Sequence, residues 1–211
     1  AFDGHDRNQL SPMAHLTQKT LGTKGLTVLA DRGYFSGEEI LKCEQAQIKA
    51  LVPKPMTSNS TSSGRFDKRD FHYEAKRDRY RCPAGKYATR RCTSIQHGMT
   101  IHRYWSTACP QCPLRSACTT DTCRRINRWE HEDVVERMQR RIDGMPQAGR
   151  LRRQTVEHTF GTLKSWMGAT HFLTKRLPGV RTEMSLQVLA YNLKRVMQIM
   201  GVQPLIAAMR A

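Results

Sequence analysis

Apolar positions change their spacing along the chain, and each change predicts a different kind of element. Met13, Leu16 and Leu21 recur at helical intervals after Ser11-Pro12, which read as an N-cap followed by proline at the first helical position; Gly22 ends the run. A short apolar stretch at 26–30, between Gly25 and Asp31-Arg32-Gly33, predicts a buried strand. Ser36-Gly37-Glu38-Glu39 has the form of a capping box and opens a second helix with Ile40, Leu41 and Cys43 inward. Residues 48–52 predict another strand, stopped by Pro53 and Pro55. The rhythm helix, strand, helix, strand predicts an α/β layer with parallel strands over residues 1–56.

Beyond this the pattern changes character. Residues 57–64 are serine- and threonine-rich and read as a flexible linker. From 65 to 129, Phe71-His72-Tyr73, Tyr80-Arg81-Cys82, Lys86-Tyr87 and Ile101-His102-Arg103-Tyr104-Trp105 predict short aromatic strands in a small β-rich insertion. The helical part, 130–211, begins with a helix over 130–143, with Val134, Val135, Met138 and Ile142 on one side and Gly144-Met145-Pro146 as the break. Two long helices follow. Val156, Phe160, Leu163 and Met167 mark the core face of the first, flanked by a stripe of Arg153, Glu157, Gly161 and Lys164. The second runs from about 180 to 200 with Met184, Val188, Tyr191 and Val196 inward, and Gly201 closes it.

Charge adds a partner class. The 211 residues carry a net charge of +17, well above the ~2–8 that keeps a small domain soluble. The excess falls in two stretches, +9 over 64–130 and +8 over 146–211, so these are the parts expected to face a polyanion, nucleic acid above all. Lys175 and Arg176 lie in the second stretch and join Arg153 and Lys164 as candidate contacts. No apolar run reaches the roughly 18 residues of a membrane span, and no secretory leader is recognisable. The expected location is the cytoplasm, at the nucleoid.

Two acids stand out. Asp31 follows a strand, at the crevice where parallel sheets bind ligands; the plainer reading is an Asp that caps a turn. Glu157 sits among cations on a helix, where a surface ion pair is the plainer reading. Gly161, one turn on, costs about 1 kcal/mol against alanine inside a helix, and close approach of DNA or another backbone would explain it. His97, His102, His131 and His171 read as surface or satisfied polar residues rather than ligands, His158 as a possible DNA contact, and the tryptophans mainly as packing.

Taken together these segments resemble insertion-sequence transposases of the DDE type. The resemblance is carried by Asn8-Gln9-Leu10-Ser11-Pro12-Met13, Ala30-Asp31-Arg32-Gly33-Tyr34-Phe35-Ser36, Arg81-Cys82-Pro83-Ala84-Gly85-Lys86, Arg125-Ile126-Asn127-Arg128-Trp129-Glu130-His131-Glu132, Val156-Glu157-His158-Thr159-Phe160-Gly161-Thr162-Leu163-Lys164, His171-Phe172-Leu173 and Leu189-Ala190-Tyr191-Asn192-Leu193-Lys194-Arg195. It implies a partial ribonuclease H-like α/β fold, with Asp31 matching the family's second acid and Glu157 its last. It further implies Mg²⁺ (or Mn²⁺) held by these carboxylates, phosphodiester cleavage and strand joining at element ends, DNA contacts through Arg153 and Lys164, and pairing of two ends in a homo-oligomer. The family's first Asp has no counterpart, because Asp3 and Asp6 match a later loop. The chain therefore reads as the C-terminal part of a longer transposase, its missing N-terminal part supplied in trans or upstream, and is expected to be catalytically incompetent and marginally folded alone. The rival readings are a non-catalytic nucleic-acid-binding remnant and a ribonuclease H-like nuclease.

The cysteines pose a separate question. Six of the seven lie between 82 and 123, which in a reducing compartment points to metal rather than disulfides. Cys109-Pro110-Gln111-Cys112 is a C-x₂-C pair, and Cys82, Cys109, Cys112 and Cys118 are the preferred set for a structural Zn²⁺, with Cys123, Cys92 or His102 as substitutes. The alternative is a group of small buried thiols in an aromatic cluster.

Overall fold

The computed structural model describes residues 6–55 and 63–210. Most of the expected 57–64 linker lies outside the described residues, and 63–64 form a turn. The chain divides into two compact units, Ala1–Pro146 and Gln147–Ala211.

The first unit opens with α1 (Leu10–Leu21), β1 (Thr27–Leu29), α2 (Gly37–Gln45) and β2 (Lys49–Leu51). The strands pair in parallel, with Val28 opposite Ala50, as the alternating rhythm requires. Four local expectations change. α1 starts at Leu10, and Ser11 is not its cap; the Ser11 N–H donates to Glu39 Oε2 at 2.9 Å. Glu39 is thereby diverted from the capping box, and Ser36 makes no side-chain cap bond. The buried face of α1 is Leu10, Ser11 and Ala14, while Met13, Leu16 and Leu21 are more than half exposed. Finally, β1 is only partly covered, because among the described residues it has a strand on one edge alone.

The helix expected over 130–143 forms as α3 (Glu132–Asp143) and returns to this layer. Val134, Val135 and Met138 join Leu10, Ala14, Ile40, Cys43, Ile48, Ala50 and Val52 in one core. Residues far apart in sequence thus close a single hydrophobic centre, in which Ile40, Cys43, Ala50, Val52 and Met138 have no exposed surface.

Between them lies a five-stranded antiparallel sheet in the order β3-β4-β5-β6-β7. Its strands are His72–Glu74, Arg79–Arg81, Tyr87–Gln96, Met99–Trp105 and Ile126–Trp129. β5 and β6 meet through His97-Gly98, both at positive φ (50° and 81°), the geometry of a tight two-residue hairpin. Alternation gives the sheet two faces. Met99, Ile101 and Trp129 face the α/β core. Tyr80, Ala88, Tyr104 and Ile126, with Phe71, build a second core. Within it Tyr73 and Tyr104 both donate to Asp78 Oδ1, at 2.7 and 2.6 Å.

Buried charge ties the sheet to α3. The Arg128 guanidinium lies 3.7 Å over the Tyr73 ring, donates to the Tyr80 hydroxyl, and pairs with Glu136 through both nitrogens. Lys68 donates to Glu132 at 2.7 Å, and the Trp129 N–H donates to the same carboxylate at 3.2 Å. Burial pushes the Glu132 carboxyl up, but Lys68 and Lys54 together hold it below its ordinary value.

The second unit is helical. Residues 148–166 form one continuous helix, α-helical at Ala148–Arg152 and His158–Gly161 and π-helical at Arg153–Glu157 and Thr162–Trp166. It ends at Gly168, whose φ of 75° lets the Ala169 N–H reach back to the Leu163 carbonyl. Two helices follow, Arg176–Met200 and Val202–Arg210, numbered here α6 and α7 after α4 (Ala148–Arg152) and α5 (His158–Gly161). Of the expected core face, Leu163 is buried and Met167 half-buried, whereas Val156 and Phe160 are over 40% exposed. No residue of α6 is buried.

Candidate functional site

Asp31 stands immediately after β1, where the chain turns through Arg32–Tyr34. Its Oδ1 accepts the Gly33 N–H at 2.8 Å, so the side chain organises the turn that displays it. Space at Gly33 is tight: a Cβ there would stand 3.1 Å from Asp31 Oδ1. The carboxylate is exposed, and together with Asp6 it acts on Tyr34, whose hydroxyl is raised first by burial and then by these two charges.

Glu157 closes the first π turn and is exposed. Its Oε1 accepts from Arg152 Nη2 at 2.6 Å. An α-helix places neighbours three or four residues apart; the wider π turn brings together residues five apart instead. Arg152 was therefore not foreseen, and the pairing cannot be read from a 3.6-residue period. Gly161 follows, with nothing within 4 Å of the position its Cβ would take. Arg153, Lys164, Lys175 and Arg176 are all exposed.

Lys175 and Arg176 are displayed by a turn with its own support. Glu183 accepts from the Leu173 and Thr174 N–H groups and from the Thr174 hydroxyl, all at 2.8–3.0 Å. The Leu173 N–H above all, then Thr174, holds the Glu183 carboxyl below its ordinary value. Glu183 was not singled out in the sequence, where a lone acid on a helix carries no mark of a partner ten residues away.

The histidines are accounted for locally. His102 pairs with Thr93, His131 stands edge-on to Trp129, His97 occupies the hairpin turn, and His171 contacts Thr170. Trp129 is buried in the core, whereas Trp166 is 82% exposed. The cysteines separate into groups. Cys82, Cys109, Cys112 and Cys118 line one apolar recess, while Cys92 and Cys123 line a different, polar one with Arg103 and Arg125.

Compared with known protein families, residues 81–197 match the transposase DDE domain, more than half of the chain. The chain belongs to this family. No curated protein and no solved structure matches it.

The matched stretch of the DDE domain contains Glu157, Arg153, Lys164, Lys175, Arg176 and the four recess cysteines, and begins after Asp31. Membership makes DNA the partner class and implies divalent metal ions. Asp31 in the first unit and Glu157 in the second are each an exposed carboxylate whose hard oxygens suit a divalent ion of this kind. Among the described residues no group of three His, Cys, Asp or Glu could hold a metal as it stands. No described helix is long and apolar enough to cross a membrane.

Proposed function

We propose that this chain is the part of an insertion-sequence transposase that binds DNA and supplies the second and last acids of a ribonuclease H-like catalytic core. The observation that carries the reading is Glu157, inside the family match, displayed on an exposed helix with Arg152, Arg153 and Lys164 beside an unfilled glycine position. Residues 1–56 and 130–211 would be parts of that core, and 65–129 an insertion. The common hydrophobic centre of α1, α2, β2 and α3 supports a core interrupted in this way.

In this reading Arg153, Lys164, Lys175 and Arg176 bind backbone phosphates, which orients the duplex without reading its sequence. Asp31 and Glu157 would contribute oxygen ligands to Mg²⁺ or Mn²⁺, and a third acid would come from upstream or in trans. A divalent ion at such a site activates the attacking oxygen and stabilises the leaving one. Homo-oligomers that pair two element ends would be the working form. The lack of a three-acid group among the described residues also favours a second reading, a DNA-binding chain without chemistry.

Binding and cleavage separate the possibilities. The purified chain should bind element-end duplexes in a salt-dependent manner and leave them uncut in Mg²⁺. Addition of an upstream Asp-bearing segment should start cleavage, and Glu157→Gln should stop it while binding persists. Cutting by the chain alone would overturn the requirement for a third acid. Absence of DNA binding would overturn the whole reading.

A further inference from the structure

The recess shared by Cys82, Cys109, Cys112 and Cys118 is lined by two segments far apart in sequence. Cys82 sits in a tight turn after β4: its N–H donates to the Lys86 carbonyl, and the Gly85 N–H donates back to the Cys82 carbonyl, both at 2.8 Å. The other three cysteines lie in the long connection from β6 to β7. There the Cys112 N–H donates to the Cys109 carbonyl at 3.1 Å, and the Cys118 N–H to the Arg115 carbonyl at 3.0 Å. All four are free thiols, and Cys82 and Cys118 also pack against the tyrosine core. The recess has space for an ion among its lining side chains.

A second observation concerns charge. Arg124 lines the same recess, and its Nε is buried without a hydrogen-bond partner among the described residues. A buried donor left unpaired is costly. A centre of negative charge in the recess would give it a partner. Four thiolates around a divalent ion carry a net charge of −2 and would do so.

We propose that Cys82, Cys109, Cys112 and Cys118 bind one structural Zn²⁺ that ties the Cys82 turn to the β6–β7 connection. Soft sulfur donors select zinc over the hard cations expected at the carboxylates. Among the described residues no three His, Cys, Asp or Glu stand as a ready-made metal site, so the four thiols must converge when the ion binds. Cys92 is exposed on β5 and faces the polar recess, and His102 is engaged by Thr93; Cys123 also faces the polar recess, but its thiol lies within hydrogen-bond reach of Cys109. The site is independent of the DNA chemistry proposed above.

The test is elemental analysis of the purified full chain. One zinc per chain is expected, lost in each of Cys82→Ser, Cys109→Ser, Cys112→Ser and Cys118→Ser and kept in Cys92→Ser and Cys123→Ser. A ligand variant can fail to fold, so the unaltered chain is also reconstituted with Co²⁺, which should show the intense visible bands of a tetrahedral thiolate site. A wild-type chain that holds no zinc, or takes up Co²⁺ without those bands, overturns the proposal. So does zinc loss in folded Cys92→Ser or Cys123→Ser, or removal of the metal by a chelator with the thermal midpoint unchanged.

Discussion

Gly161 lies within a continuous helix, yet among the described residues nothing beyond its immediate neighbours and the helix's own nearby backbone lies within 4 Å of where its side chain would be. Helix propensity opposes glycine there by about 1 kcal/mol, and no packing among the described residues requires it. Gly161→Ala should therefore raise stability by up to about 1 kcal/mol in denaturant unfolding while weakening DNA binding in a titration; unaltered affinity would remove the argument for close approach of DNA. Gly33 is the opposite case, since the neighbouring carboxylate occupies its side-chain space. The Asp-Arg-Gly signal was legible because a turn residue and a small residue act within a few positions of each other. The pairing of Arg152 with Glu157 was not, because it depends on a π turn that no side-chain pattern announces.

Among the elements, α2 and the insertion meet at one point. A Cβ on Gly37 would lie 2.9 Å from the buried Trp129 ring. Gly37→Ala should cost about 1–3 kcal/mol through overpacking, measurable as a lowered denaturant midpoint with unchanged slope. α3 carries a pH-dependent contact. The folded pKa of Glu132 lies below its ordinary 4.5, so its contribution is fully present above that range and is lost as pH falls through the depressed value. Asp78 acts in the same sense: burial raises it, but the Tyr104 and Tyr73 hydroxyls hold it below its ordinary value. Stability should therefore fall on acidification below about pH 4.5, and Glu132→Gln should flatten that acid limb in thermal melts taken across pH. The helices over 10–21, 37–45 and 132–143 were legible because apolar positions repeat along them. β5 was legible only at its start, Lys86-Tyr87: most of its ten residues are exposed, so the rest carries no alternation, and its partners β4 and β6 define it.

For the molecule as a whole the dominant quantity is the net charge of +17. If Arg153, Lys164, Lys175 and Arg176 each meet a phosphate, replacing any of them by alanine should weaken binding alike on different DNA sequences. Each replacement should also reduce the slope of log affinity against log salt by about 1. A fluorescence titration at several salt concentrations checks this, and an unchanged slope would exclude that residue. The sequence by itself determined the parallel pairing of β1 with β2, the helical second unit, the basic stretches and the grouping of cysteines, because each rests on local periodicity, turn chemistry or composition. The tertiary structure decided the rest. It turned Glu39 from a local cap into the acceptor for Ser11 and exposed the apolar stripe of α1. It also buried Arg128 against Glu136, and it gathered Cys82, Cys109, Cys112 and Cys118 around one recess that Cys92 does not line. These outcomes depend on which surfaces meet across long stretches of chain, and burial and electrostatic pairing at such meetings outweigh local preferences of a kilocalorie or less.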